Sequence, residues 1–195
     1  MRIIVFDTEA TDLTPGQICQ LSYLIIEDDR ITGKNHFFSV DDMSEGALEV
    51  HGFSMEMLAE LSGGLYFEDL AADILSDFNT ADLIVGHHVA ADEHYLRVEM
   101  ARCGLELKRF NMFCTMNYTS GIIGLKRKVE TGRPKPPRLE ELCLHYDIDE
   151  QSIREAAQAW FGAGAASHDA RYDTAATYLC LKAAEDRGDL RGVLS

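Results

Sequence analysis

Met1-Arg2-Ile3-Ile4-Val5-Phe6-Asp7-Thr8-Glu9 opens the chain with a short apolar run that ends in two acids at alternate positions. A run of that length bounded by polar residues reads as a buried strand, and on a strand side chains two apart share a face. Asp7 and Glu9 therefore face the same way from its end. Carboxylates that close repel each other and raise each other's pKa unless a cation sits between them. Oxygen ligands with room for water suit a hard divalent ion such as Mg²⁺ or Mn²⁺.

Working outward, Thr11-Asp12-Leu13-Thr14-Pro15-Gly16 carries turn chemistry, and Gln17 to Glu27 is a second apolar-rich strand. Asp28-Asp29-Arg30 is a hairpin connection to a third strand over Ile31 to Val40, antiparallel to the second. Ser54 caps a short helix that Gly63-Gly64 ends, and Tyr66 to Phe78 repeats apolar residues at helical spacing. Asp82 to Gly86 reads as a buried strand, Asp92 to Cys103 as a helix and Phe110 to Thr115 as a last strand, the grammar of a parallel crossover. Gly121 to Pro137 reads as a cation-rich surface excursion. Helices follow over Leu139 to His145, Gln151 to Trp160 and Asp169 to Arg187. The expected architecture is α/β with a mixed sheet flanked by helices, in a single domain spanning 1–195.

Composition narrows the function classes. No apolar run approaches the ~20 residues of a membrane span, and the N-terminus lacks the pattern of a secretory signal, so a cytoplasmic protein without membrane partners is expected. The five cysteines (Cys19, Cys103, Cys114, Cys143, Cys180) are scattered without a Cys-x-x-Cys pair, and read as reduced core residues rather than a disulfide framework or zinc knuckle. A net charge of −15 looks hostile to a polyanion, but it is unevenly spread. Residues 97–138 hold 10 Lys and Arg against 3 Asp and Glu, whereas residues 1–96 hold 3 against 19. Lys126-Arg127-Lys128 with Arg133, Lys135 and Arg138 fits either a solvated loop or a patch that follows a phosphate backbone.

Three acidic segments stand beside the sheet: Asp7-x-Glu9 on the first strand, Asp92 after the strand ending at Gly86, and Asp173 near the start of the last helix. Open α/β sheets bind ligands outside the carboxyl ends of their strands, where the first two would lie. Taken singly each segment is a weak signal, since an exposed aspartate at a helix start is more often a cap than a ligand. His87-His88 is a poor zinc pair, since sequence neighbours seldom face one ion and no cysteine is spaced to join them.

In their order, Phe6-Asp7-Thr8-Glu9-Ala10-Thr11, Gly86-His87-His88-Val89-Ala90-Ala91-Asp92 and His168-Asp169-Ala170-Arg171-Tyr172-Asp173 resemble the three exonuclease motifs of the DEDD superfamily. His168, five residues before the last aspartate, resembles the DEDDh branch, which includes the proofreading epsilon subunit of bacterial DNA polymerase III and ribonuclease T. The sister branch carries a tyrosine where Asp169 stands. The resemblance runs from Ile3 to about Leu181. It departs from the family pattern at His88, commonly asparagine, at Ala91, commonly phenylalanine, and at Asp12, commonly glycine.

The resemblance implies a ribonuclease H-like, five-stranded sheet and a metal-dependent 3′→5′ exonuclease. Such an enzyme releases nucleoside 5′-monophosphates from single-stranded nucleic acid with a free 3′ end, here with DNA favoured over RNA. It implies two Mg²⁺ or Mn²⁺ ions held by Asp7, Glu9, Asp92 and Asp173. His168 would be the general base, and Thr8, Ala10, His51 and Gly52 would lie against the terminal nucleotide. It admits a polymerase partner and a proofreading role, or a homodimer, without requiring either. The competing readings are an RNA 3′-end trimming enzyme and a nucleic-acid-binding module that has lost catalysis.

Overall fold

The computed structural model describes residues 1–28, 30–126, 132 and 134–194. Five strands form one mixed sheet: β1 (Arg2–Ala10), β2 (Ile18–Glu27), β3 (Arg30–Phe37), β4 (Leu83–Gly86) and β5 (Met112–Cys114), in the order β3-β2-β1-β4-β5. β1 pairs antiparallel with β2 and parallel with β4, and β4 pairs parallel with β5. The helices are α1 (Glu45–His51), α2 (Met55–Ser62), α3 (Phe67–Asn79), α4 (Val89–Arg102), α5 (Thr115–Ile123), α6 (Leu139–His145), α7 (Glu150–Phe161) and α8 (Ala170–Arg187). This is the expected α/β architecture with a mixed sheet between helices.

β1 explains the layering. Ile3, Ile4, Val5 and Phe6 are all buried because the strand is covered on both faces. Ile3 and Val5 pack with Leu142, Ala175, Ala176 and Cys180 from α6 and α8, while Ile4 and Phe6 pack with Ile74, Phe78, Leu96 and Met100 from α3 and α4. Each such burial contributes about 1.5–3 kcal/mol. The same alternation continues into the acids. Asp7 and Glu9 follow Ile3 and Val5 onto the α8 face, and Thr8 follows Ile4 and Phe6 onto the α4 face.

β1 also outruns its parallel neighbour. β4 pairs with it only from Ile3 to Val5, so the stretch from Phe6 onward projects beyond the carboxyl end of β4. The chain turns sharply there. A Cβ on Gly86 would sit 3.2 Å from the Phe6 carbonyl oxygen and from Val89, so glycine lets α4 start close against β1.

Two elements differ from the sequence reading. Ser44 caps α1, its hydroxyl accepting from the Ala47 N–H, although that helix buries none of its own residues and so shows little apolar periodicity. α5 occupies Thr115–Ile123, so the excursion expected from Gly121 begins as the end of a helix that Gly124 closes. Within the basic stretch, Arg127, Lys128 and Arg133 lie outside the described residues. Of the others, Lys135 is bonded to Glu141 and Arg138 to Glu140. The cysteines are free, with Cys19, Cys143 and Cys180 buried. Among the described residues no helix is long and apolar enough to cross a membrane.

Candidate active site

At the carboxyl end of β1, Asp7 and Glu9 meet Asp173 from α8, and carboxylate oxygens of the three lie within 4.8 Å of one another. Asp92, from the first turn of α4, approaches from the opposite face of the sheet. Its Oδ1 accepts two hydrogen bonds from Thr8, from the backbone N–H at 3.1 Å and the hydroxyl at 2.7 Å. That N–H belongs to the part of β1 past the last β4 pair, and the carboxylate satisfies it in place of a strand partner.

The protonation energetics carry the mark of this crowding. Asp7 is held well above the ordinary carboxylate range, first by burial and then by Asp92, Asp173 and Glu9. Glu9 is raised by burial and then by Asp173 and Asp92. Asp173 is pushed up to about 7 by burial, Asp169 and Asp92, against an opposing hydrogen bond from the His168 backbone. Asp92 rises only to about 6, because the two Thr8 bonds oppose its burial. Among the described residues no lysine or arginine forms an ion pair with any of these four acids.

Three hard carboxylates at that separation, raised in pKa by one another and lacking a basic partner, fit a divalent cation. Protonation and metal binding are the two ways to relieve the repulsion, and the second requires the charged form.

The start of α8 is held by residues that the sequence reading did not single out. Gln20 stands opposite Glu9 across the β1–β2 ladder. Its amide donates to Asp169 Oδ1 at 2.9 Å and its carbonyl accepts the Ala170 N–H at 3.0 Å. Asp169 caps α8 and forms a buried ion pair with Arg171, 2.6 Å from Oδ2 to Nη2. Arg171 in turn lies over the Phe37 ring. Thr174 donates to the Ser22 carbonyl one turn further on. The available signal was the pair Gln20 and Ser22, polar at alternate positions inside an otherwise apolar strand.

His168 is exposed just before this cap, with a left-handed backbone (φ 60°). His51, at the end of α1, accepts the Phe53 N–H on Nδ1 at 3.0 Å, so its neutral ring carries the proton on Nε2, the nitrogen 3.9 Å from Cys19 Sγ. Burial lowers its pKa, opposed by a bond to the Ala10 backbone and assisted by nearby His168. His51, Ala10 and His168 are thereby neighbours. Gly52 closes α1 in the left-handed region (φ 76°). Thr8, expected at the nucleotide, has its hydroxyl and N–H engaged by Asp92.

His87 is part of the wall. Its Nε2 is 3.1 Å from the Pro137 carbonyl, which can only accept, so Nδ1 accepts from the Thr115 hydroxyl at 3.0 Å. Burial pushes its pKa down to about 4, keeping it neutral. A cleft of about 730 Å³ is lined by His87, Pro137, Leu139, His168, Tyr172 and Asp173 among others, a size suited to small organic ligands.

The family model described as Exonuclease (RNase_T) matches residues 4–181. Among solved structures, exonuclease I superimposes with a TM-score of 0.72 at 17% identity, covering 95% of this chain and 41% of that one. The zinc-bound complex of E. coli exonuclease I with single-stranded DNA gives 0.74 at 16% identity, over 96% and 41%. The E. coli enzyme with a dT13 oligonucleotide gives 0.70 at 16%, over 96% and 42%. The chain thus spans about two-fifths of the length of these proteins, and at such identity the likeness is one of fold. No curated protein matches the chain.

Proposed function

This chain belongs to the exonuclease family whose model matches it from residue 4 to residue 181, and from that premise we propose a metal-dependent 3′→5′ exonuclease of the DEDDh branch. It acts on single-stranded ends, DNA in preference to RNA, and releases nucleoside 5′-monophosphates. The observation that carries the reading is the set of Asp7, Glu9 and Asp173 oxygens within 4.8 Å of one another, with Asp92 tied to Thr8 beside them. An inert binding module would keep these repelling acids at a cost to stability and with no gain.

Asp7, Glu9, Asp92 and Asp173 would hold two Mg²⁺ or Mn²⁺ ions. Bound there, such a pair lowers the pKa of water and stabilises charge on the phosphoryl and leaving oxygens. Asp7 and Glu9, at alternate positions of β1 and paired on one side with Ser22 and Gln20 of β2, fix the spacing of the site. Gln20 and Asp169 hold the first turn of α8, and with it Asp173, in register against β1 and β2. His168 takes a proton from the attacking water, the general-base task that histidine most often performs. His51, Gly52 and the backbone at Thr8 and Ala10 close the pocket around the terminal nucleotide. The domain is the whole of 1–195, and it works in the cytoplasm.

The test follows 5′-labelled and 3′-labelled single strands, as DNA and as RNA, with Mg²⁺, Mn²⁺ or EDTA on gels. The reading expects a ladder shrinking from the 3′ end with DNA and divalent metal, and none in EDTA. Faster loss of RNA moves the assignment to exoribonuclease. Cleavage from the 5′ end, or equal cleavage in EDTA, overturns it.

A further inference from the structure

Among the described residues one pair of cysteines meets. Cys143 in α6 and Cys180 in α8 are 37 residues apart in the chain, and the Cys180 thiol donates to Cys143 Sγ at 3.6 Å. Ala176 and Ala184 stand one turn to either side of Cys180 on the same stripe of α8, and small side chains there let α6 lie close.

The two sulfurs differ in access. Cys180 is 1% exposed, whereas Cys143 is 7% exposed and lines the cleft that also holds His168 and Asp173. A small solute entering that cleft meets Cys143 first. The bond from Cys180 draws the Cys143 thiol below its ordinary pKa, against burial and the charge of Asp173, which favours the nucleophilic thiolate. The remaining cysteines lack this combination. Cys19 is fully buried, with His51 at 3.9 Å, while Cys103 and Cys114 are partly exposed and are bonded to no second sulfur among the described residues.

At 3.6 Å the sulfurs touch without being joined, and a disulfide of about 2.05 Å requires them to close by about 1.5 Å. Side-chain rotation takes up part of that distance and the helices the rest. α8 is held, because Gln20 and Ser22 of β2 bond Asp169, Ala170 and Thr174 in its first turns. α6 is about two turns long, and its Leu139, Glu140, Cys143 and Leu144 line the cleft. The element that yields is therefore a wall of the cleft.

We propose that Cys143 and Cys180 form a redox modification site, in which a peroxide oxidises Cys143, Cys180 converts the product into a disulfide, and α6 is drawn against α8 so that the cleft beside Asp173 is reshaped. The Cys143 thiolate attacks one peroxide oxygen, the O–O bond breaks and hydroxide leaves, giving a sulfenic acid. Cys180 then attacks that sulfur, an S–S bond forms, and the sulfenic oxygen departs as water with the Cys180 proton. With the proton first released by Cys143, one peroxide is reduced to two waters as the two thiols are oxidised. Transient, sensing disulfides of this kind are the sort found in reducing compartments. The bond itself is independent of the exonuclease reading, and its effect on cleavage rests on that reading.

The test treats the metal-free parent, Cys180→Ala and Cys143→Ala with hydrogen peroxide, removes the peroxide, and follows Mn²⁺-dependent cleavage of a labelled dT oligomer before and after dithiothreitol. Peptide mapping locates the oxidised sulfurs, and thermal unfolding verifies each fold. The parent is expected to carry a Cys143–Cys180 link and to cleave about tenfold more slowly or worse, the scale of a displacement near 1 Å, with recovery in dithiothreitol. Cys180→Ala should instead accumulate a Cys143 sulfenic acid that dimedone traps and that passes on to a form dithiothreitol does not reduce. Cys143→Ala should form no link and keep its own untreated rate. Absence of the link in folded parent, first oxidation at Cys103 or Cys114, or a linked parent that cleaves at the reduced rate overturns the proposal. A linked parent whose reduced form cleaves no strand overturns the exonuclease reading and still establishes the modification site.

Discussion

The two ends of β1 are both rich in carboxylates and treat them in opposite ways. At the amino end Arg2 reaches Glu27 Oε2 at 3.2 Å and Asp77 Oδ1 at 3.3 Å, while its backbone N–H donates to Asp82. Asp77 also takes Lys34 and the Tyr23 hydroxyl. Glu27, Asp77 and Asp82 each have a donor. At the carboxyl end Asp7, Glu9, Asp92 and Asp173 share a space with no cation from the described residues, and all four rise in pKa. Where acids serve the fold, the sequence supplies their partners. Where they are left to repel one another, a cation from outside is the partner that would relieve them.

Substitutions at the two ends should therefore differ in sign. Asp7→Asn is expected to reduce nuclease activity to background while raising the melting temperature in EDTA, because it removes one of the repelling charges. Equal destabilisation in EDTA would erase the contrast between the ends. Next in size, His168→Ala should lose about 10²–10⁴-fold in single-turnover rate, the usual worth of a general base, with Mn²⁺ affinity retained. Parental turnover would remove His168 from the chemistry.

The pH dependence has a definite sign. The folded-state pKa values of Asp92 (about 6) and Asp173 (about 7) lie above the ordinary carboxylate value. Between about 4, where the unfolded chain ionises, and those values, the native state binds more protons than the unfolded one. The contribution of these acids to the stability of the metal-free protein should fall as pH rises from about 4 to 7, outweighing the opposite contribution of His87, whose pKa burial holds at about 4. Saturating Mn²⁺ should flatten or reverse the slope. Melting curves across that range, in EDTA and in Mn²⁺, read it directly, and a metal-free stability that rises over the same window would sink the assignment.

Smaller effects sharpen the comparison. Thr8→Val deletes the hydroxyl bond to Asp92 and should weaken Mn²⁺ binding about tenfold, the worth of one charge-assisted bond. At the other end, Asp77→Ala should leave cleavage unchanged and cost about 2 kcal/mol in a denaturant melt. A loss of activity there would mean that the two ends are not independent.

The legible part of the sequence was the part governed by short-range periodicity. Ile3 to Phe6 with Asp7 and Glu9 disclosed the central strand and two acids on one face, because alternation along a strand needs no knowledge of its neighbours. The long apolar repeats of α3 and the extent of α8 were readable for the same reason. α1 was not, since a helix without buried residues shows no stripe. The Gln20, Asp169 and Arg171 network spans about 150 residues of sequence and exists only once β2 and α8 meet. Thr8 was read as a neighbour of the nucleotide on resemblance, and its bond to Asp92 follows from the uneven lengths of β1 and β4, which no local pattern encodes.

The claim beneath all of this is that the carboxyl end of β1 is a cation site. Isothermal titration of Mn²⁺ into the metal-free parent and into Asp7→Asn at pH 8 addresses it without any assumption about substrate. Saturable heat in the parent and its loss in the variant are expected. A parent that takes up no Mn²⁺, or a variant that takes it up equally well, would contradict it.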